Sequence, residues 1–297
     1  MVKKSGESAA KRLDKSIPKR LPNVWILTDK ATRTLWDNRH VFLGIIAVYG
    51  ILSLILVQSA SGTSDVANLK HQLNLVFTGH LGSLASGFGV FVLLLGSGGA
   101  GSNQAGSGYQ FMLVLIASLA IIWALRQVSA GIKFRARDAY YKGMFPLIPY
   151  ILVLIVIGLQ LIPLLIGSTL YAIVSTNGIA VHFVEQFLWV ALFIGLAGVT
   201  LYFLSSSLFA LYIVTLPDMT PIKSLRSARE LTQNRRWTVL LKILFLPVIL
   251  LVASGIIMIP VIIWLTTLSQ LIFFILTLIM LAVAHSYMYA LYRELLE

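Results

Sequence analysis

Long apolar runs alternate with short polar segments along most of this chain. A helix rises about 1.5 Å per residue, so about 20 residues cross a hydrocarbon core of about 30 Å. Backbone amides in lipid must be satisfied within their own segment, which favours helices. The pattern therefore predicts an all-α integral membrane protein. Its six transmembrane helices, named spans one to six, lie at about residues 40–58, 109–127, 145–173, 186–214, 238–264 and 271–292.

A short amphipathic segment precedes span five. Thr220-Pro221 is a helix-start signal, because threonine caps free N–H groups and proline is well suited to the first helical position. Lys223, Arg226 and Arg229 then recur every three residues and fall on one side of a helix. The apolar residues fall roughly opposite: Leu225, Ala228 and Leu231. A cationic face of this kind is typical of a helix that lies on an anionic lipid surface.

Similar segments precede spans one and three, at residues 23–38 and 129–142. A matching spacing of residues recurs at Arg33-Leu35-Asn38-Arg39, Arg137-Ala139-Lys142-Gly143 and Arg229-Leu231-Asn234-Arg235. The plan of basic helix, span, outer link and span occurs three times, and internal repeats are common in membrane bundles. We therefore predict three helix-hairpin repeats, each preceded by a basic interfacial helix.

The first outer link, residues 59–108, is the longest. Residues 65–80 have helical apolar spacing, which predicts an amphipathic helix. Residues 84–95 are apolar but too short to cross, which favours a re-entrant or buried piece. Residues 96–108 form a glycine-rich sequence typical of a flexible linker. Within the spans, small residues such as Gly44 and Gly50 mark expected points of close packing.

Composition excludes a soluble domain, because 58% of residues are hydrophobic and only 11% are charged. The net charge of +12 does not indicate nucleic acid, since the basic residues cluster beside the spans. With six crossings and both termini inside, all 23 lysines and arginines except Lys70 lie on the inner side. This distribution predicts N-in, C-in topology. Residues 1–22 are expected to be a disordered cytoplasmic tail that fixes orientation, or one that contacts anionic lipid or ribosomal RNA.

Little in the sequence indicates chemistry. The chain has no cysteine, which excludes thiolate catalysis and disulfides. His71, His80 and His182 are all predicted outside, but their spacing does not support a zinc site. The glycine-rich link lacks the GK[ST] ending of a phosphate loop, and no nucleophile, base and acid stand together. We therefore expect no enzymatic activity and no cofactor.

Spans three and five each contain two prolines, Pro149 and Pro163 in one, Pro247 and Pro260 in the other. Proline removes a helical hydrogen bond and kinks the helix. Paired interrupted spans mark the substrate site in many transporters. The alternative is that these prolines shape a static bundle. The sequence does not distinguish this interpretation from a substrate site.

Two further residues complete the candidate midplane site, Gln160 in span three and His285 in span six. Together with Pro163 and Pro260 they define the site that a transporter or channel would use. The span interiors lack Asp, Glu, Lys and Arg, which argues against an ion-coupled pump. His285 stands beside the small residues Ala282, Ser286 and Ala290. We therefore interpret it as a packing histidine with one hydrogen bond rather than as a ligand or proton site.

Residues 130–152 and 220–250 resemble the six-helix membrane domain fused to bacterial glycerophosphoryl diester phosphodiesterases, and its stand-alone relatives. The resemblance covers about residues 24–295 and rests on pattern rather than on invariant residues. It implies a multi-pass protein of the bacterial cytoplasmic (plasma) membrane. It implies no catalytic residues, because the phosphodiesterase active site lies in a soluble domain that this sequence does not contain.

The leading functional hypothesis is therefore a non-enzymatic scaffold or lipid-associated membrane protein. The expected partners are anionic lipids and a membrane protein, and not nucleic acid. The cationic segments would bind inner-leaflet headgroups. The candidate headgroup ligands are Lys133, Arg135, Arg137, Lys223, Arg226 and Arg229. The alternative is a transporter or channel for a neutral or lipidic solute, built on proline-broken spans three and five.

Overall fold

Six long apolar helical segments run through the chain. The computed structural model describes residues 22–58, 69–71, 83–97, 104–176, 182–233 and 235–296. No strand occurs among these residues. The segments long and apolar enough to cross a membrane are Arg39–Val57, Gly106–Ser129, Leu147–Ser175, Phe183–Ile213, Arg236–Trp264 and Leu268–Leu296. The prediction of six membrane-spanning helices is confirmed, with ends that differ by a few residues.

Three short helices precede spans one, three and five, as predicted. They are Val24–Asp37, Ala136–Gly143 and Pro221–Thr232, called the first, second and third short helices. The third begins at the predicted cap, where Thr220 Oγ1 accepts the Lys223 backbone N–H at 3.4 Å. The first is not basic within these bounds, because two aspartates balance its lysine and arginine. The prediction of a basic helix before every repeat is therefore wrong for the first.

The second short helix is shorter than predicted. Gly131 has a φ of +69°, a conformation that glycine adopts without steric cost, and span two ends there. Residues 132–135 follow as an extended segment, and the helix begins only at Ala136. The Arg135 backbone N–H donates to the Asp138 carboxylate at 3.1 Å, which caps this new start. Lys133 and Arg135 consequently lie before the helix and not on it.

The three short helices lie at the same end of the bundle, which we call the basic end. Lys30 of the first forms an ion pair with Glu294 at the end of span six. Arg126 at the end of span two donates to the Thr215 carbonyl, just after span four, at 2.7 Å. The first short helix packs mainly against span six, the second against span two and the third against span four. Each short helix thus rests on an even-numbered span.

Glycines allow the closest of these contacts. A Cβ added to Gly143 would lie 3.1 Å from the Leu119 carbonyl oxygen and 3.2 Å from Ala120 Cα of span two. Gly44 and Gly50 were predicted to be close-packing points, and both are confirmed. An added Cβ would lie 3.0 Å from a side-chain atom in each case.

The prolines of spans three and five have different effects on their helices. Span three consists of two helices, Leu147–Gln160 and Ile162–Thr176, which meet at Leu161. Pro163 stands in the first turn of the second helix, where a missing N–H costs least. Span five is one continuous helix, Arg236–Trp264, with both prolines inside it. The predicted pair of proline-broken spans is therefore wrong for span five.

A shorter apolar helix, Ser83–Ser97, packs beside the half of span six that is farther from the basic end. The Phe91 and Phe273 rings are 5.8 Å apart, and Thr277 Oγ1 donates to the Leu95 carbonyl at 2.8 Å. The helix runs parallel to span six and ends alongside it, which agrees with a re-entrant or buried piece. Span two begins at Gln104, so the flexible linker is shorter than predicted. Only Leu265 separates the helices of spans five and six.

Several predictions fall outside the described residues. These are the tail before Pro22, most of the amphipathic helix at 65–80, His80 and the central part of the glycine-rich link.

Candidate functional site

The six predicted headgroup ligands all lie at the basic end with exposed side chains. Lys223, Arg226 and Arg229 project from the third short helix, and no ion pair to them occurs in the described part of the chain. The buried stripe of this helix is Ser224, Ala228 and Thr232. The predicted apolar face is confirmed, because Ala228 is fully buried and Leu225 and Leu231 are partly buried against the same core.

The remaining three cations lie on and before the second short helix. Lys133 and Arg135 are exposed on the extended segment, and Arg137 lies over the Tyr141 ring at 5.3 Å. The neighbouring Tyr140 hydroxyl donates to the Ile45 carbonyl of span one at 2.8 Å. Burial raises the pKa of Tyr140 to about 12, so this hydroxyl keeps its proton and its hydrogen bond at neutral pH.

A groove of about 850 Å³ opens at the basic end between these two cationic helices. The groove is lined by apolar and aromatic side chains, by charged side chains and by the segment that leads into the third short helix. We call it the basic-end groove. Its lining is Leu119, Trp123, Arg126, Tyr141, Lys142, Gly143, Phe145, Pro146, Pro149 and residues 214–220. The sequence singled out neither the groove nor Arg126.

Arg126 holds two even-numbered spans together beside this groove. Its guanidinium donates to both the carbonyl and the hydroxyl of Thr215, which ends span four. Arginine offers five donors in a planar fork, so others remain for a second partner. The signal that could have identified Arg126 is its position one turn after Trp123, at the boundary where span two leaves the apolar region.

A buried hydrogen-bonded triad joins the three even-numbered spans one layer deeper. His285 Nε2 lies 2.9 Å from Ser118 Oγ of span two, and Nδ1 lies 3.1 Å from the Tyr212 hydroxyl of span four. Tyr150 of span three is buried close to the same serine. A neutral imidazole supplies one donor and one acceptor, which suits two hydroxyl partners. This environment supports the packing interpretation of His285, with two hydrogen bonds instead of one.

The structure does not bring the predicted midplane residues together. Tyr287 donates to the Lys242 carbonyl at 3.0 Å, and Met258 packs in the same cluster as Phe273, which aligns spans five and six. On that alignment His285 lies about 15 residues from Pro260 along the bundle, or roughly 22 Å. Gln160 lies ten residues beyond Tyr150 on span three, about 15 Å from the level of the triad. The four residues therefore form no single site.

Gln160 itself is unusual within the described bundle. It ends the first helix of span three, and its side-chain oxygen is buried without a hydrogen-bond partner. Pro163 is half-buried three residues later. The Thr200 hydroxyl of span four is likewise buried without a partner among the described residues. The hydroxyls of Ser205, Ser206 and Ser207 donate to carbonyls of their own helix.

In the part of the chain that the structure describes, no three His, Cys, Asp or Glu side chains come together as a metal site would require. Comparison with protein-family models, curated proteins and solved structures finds no match to this chain. The resemblance to the phosphodiesterase membrane domain therefore rests on the residues quoted for it and stays a prediction.

Proposed function

We propose that this chain is a non-enzymatic, lipid-associated protein or scaffold of the bacterial cytoplasmic membrane, with both termini inside. The observation that carries the proposal is the basic end. Exposed cations that form no ion pair with any described acidic residue lie there on two separate segments, at the level where the spans end. Anionic lipid surfaces attract such residues at about 1 kcal/mol each. The same resemblance that implies a bacterial membrane implies no catalytic residues.

The packing of the short helices supports a threefold repeat. Each short helix rests on the even-numbered span of the preceding unit, and the first short helix closes the ring on span six. A second cavity of about 350 Å³ lies between the first short helix and the ends of spans six and two. That position corresponds to the basic-end groove, which lies between the second short helix and the ends of spans two and four. The triad then lies where the three units meet.

The proposed topology makes a direct prediction, because the chain has no native cysteine. His182→Cys and Lys223→Cys each place a thiol at an exposed position, at opposite ends of the bundle. In intact cells, an impermeant thiol reagent should label His182→Cys and leave Lys223→Cys unlabelled until the membrane is opened. Labelling of Lys223→Cys in intact cells would refute the N-in, C-in arrangement.

A second prediction concerns lipid enrichment. Replacing Lys223, Arg226 and Arg229 with glutamine should reduce the preference of the protein for anionic over zwitterionic lipid. The expected loss is about 2–3 kcal/mol in total, and added salt should reproduce part of it. The measurement is the association of spin-labelled phosphatidylglycerol and phosphatidylcholine with protein in mixed vesicles.

A charge-conserving variant is the matched control for that experiment. Lys223→Arg with Arg226→Lys and Arg229→Lys keeps every charge on the same exposed face, so the lipid preference should remain. If the glutamine variant keeps the same preference as this control, the cations of the third short helix do not select lipid, and the lipid-associated proposal fails.

One observation favours transport as the second candidate function. Span three is broken at Leu161, next to the unpartnered oxygen of Gln160. Discontinuous helices and free polar groups line the sites of many transporters. Against this, span five is continuous and the predicted site residues lie at different levels. Uptake of a neutral solute that Gln160→Leu abolishes would favour transport over the lipid-associated proposal.

A further inference from the structure

The basic-end groove brings aromatic and cationic side chains together, whereas the exposed faces of the short helices present mainly charge. Trp123 and Phe145 supply a wide apolar wall, and Phe145 is 94% exposed at its edge. The Trp123 ring is held edge-on against Phe134 at 5.3 Å, so this wall is preformed. An aromatic wall at the end of a span is the environment where lipid carbonyls and glycerol groups lie.

Two cationic side chains, Lys142 and Arg126, line the groove together with these aromatic residues. Lys142 lines the groove with an exposed ammonium group, and it has neither an ion-pair nor a hydrogen-bond partner in the described part of the chain. Arg126 lines it too, held by Thr215 and retaining free donors. The third short helix begins at the rim with Thr220, and a helix N-terminus carries partial positive charge.

Asp218 is the exception, since it places a carboxylate among these cations. It is exposed, has a φ of +59°, and forms no ion pair with Lys142 although both line the groove. The groove thus has a net positive charge that its own acid does not neutralise. A bound anionic group would neutralise the remaining positive charge of the groove.

We propose that this groove binds one anionic glycerophospholipid, with its phosphate between Lys142 and Arg126 and its first acyl carbons along Trp123 and Phe145. Basic pockets between transmembrane helices recognise anionic headgroups in this way. The volume of about 850 Å³ lies within the range of about 300–1,000 Å³ that is typical of ligand pockets. The inference rests on the proposed function, because it requires the basic end to lie at a lipid surface.

The test uses the full-length protein in nanodiscs of phosphatidylglycerol and phosphatidylcholine, followed by gentle release and native mass spectrometry. The readout is the fraction of protein that retains one phosphatidylglycerol as its proportion in the nanodisc is varied. Lys142→Gln should weaken retention about fivefold, because it removes one cation at the headgroup. Arg39→Gln removes the same charge from an exposed position at the start of span one, outside both the groove and the six candidate headgroup ligands, and should leave retention unchanged.

A variant with the opposite effect makes the test stronger. Asp218→Asn removes the repelling carboxylate, and asparagine tolerates the positive φ of this position. It should strengthen retention about two- to fivefold. Equal effects of Lys142→Gln and Arg39→Gln, or no gain from Asp218→Asn, would overturn the assignment. Arg126 is not a useful test position, because its loss also separates spans two and four.

Two controls identify the occupant. Inorganic phosphate in excess should leave the retained lipid in place, since the apolar wall contributes to binding; displacement by phosphate would reassign the groove to a soluble anion. Release of a protein instead of a lipid would also overturn the proposal. If the glutamine variant of Lys223, Arg226 and Arg229 loses lipid preference while Lys142→Gln has no effect on retention, only this inference fails. If neither variant has an effect, the proposed function fails as well.

Discussion

Gly143→Leu is expected to destabilise the bundle by at least about 3 kcal/mol. A side chain at this position would meet the backbone of span two, because a Cβ lies 3.1 Å from the Leu119 carbonyl oxygen and 3.3 Å from Trp123 Cβ. Overpacking a tight contact costs about 1–3 kcal/mol, and here a backbone rather than a flexible side chain must move. The measurement is the unfolding midpoint of the purified protein in mixed micelles as the fraction of sodium dodecyl sulfate is raised.

Gly158→Leu is the matched control for this prediction. Gly158 lies on span three with an exposed position, and nothing stands within 4 Å of an added Cβ. Its leucine would extend into lipid, so the midpoint should remain that of the wild type. Equal midpoints for the two leucine variants would contradict the close contact between the second short helix and span two.

His285→Leu is expected to cost about 2 kcal/mol, because it removes two interhelical hydrogen bonds and leaves the buried Tyr212 hydroxyl without a partner, whereas Ser118 still has Tyr150 beside it. Both Ser118 and Tyr212 are at most 4% exposed, so water does not replace the lost ring. Interhelical hydrogen bonds in membrane bundles average about 0.6 kcal/mol and reach about 1.7, and an orphaned donor adds to the loss. The same denaturant titration measures the effect.

The triad also predicts a rescue. Adding Tyr212→Phe to His285→Leu removes the orphaned hydroxyl, so the double variant should be more stable than His285→Leu alone. Ser118 is left unchanged, because the Tyr150 side chain lies beside its hydroxyl. Phenylalanine keeps the stacking of residue 212 against Tyr292, whose rings are 6.1 Å apart. Ser205→Ala is a control for hydroxyl removal, since Ser205 bonds only within its own helix. A double variant no more stable than the single one would show that His285 and Tyr212 are not coupled.

These contacts link the three even-numbered spans to one another inside the bundle. Span two is the most buried of the six, and spans four and six meet it through His285 and Arg126. Span three and the half of span four farther from the basic end are largely exposed and pack mainly on each other. The two larger buried clusters of the described residues lie toward the basic end, which also carries the cationic faces and the groove.

The spans were predictable because a span depends on one segment at a time. Length and apolarity determine whether a helix can lie in lipid, and both are local properties of the sequence. The start of the third short helix at Thr220 was equally local, because it needs only a capping hydroxyl and a proline. The net charge of the first short helix could also be counted from the sequence. The prediction that this helix is basic was wrong because it included Arg39, which follows the helix.

The site was less predictable because it depends on residues far apart in the chain. Pro163 marks a helix break whereas Pro260 does not, and the difference lies in the neighbours that hold each helix. Span five packs along span six on both sides of its prolines, while the outer half of span three contacts little besides span four. Proline within a membrane helix is tolerated when surrounding helices support the freed backbone groups.

Six apolar helices long enough to cross a membrane, with basic residues gathered beside them, could be predicted from the amino-acid sequence. The contact of Arg126 with Thr215, the bridge of His285 between Ser118 and Tyr212 and the groove beside Lys142 became visible only in the folded chain. Insertion depends on the transfer of single segments into lipid, so it follows from local sequence. Association between helices depends instead on close packing and on hydrogen bonds that no single segment contains.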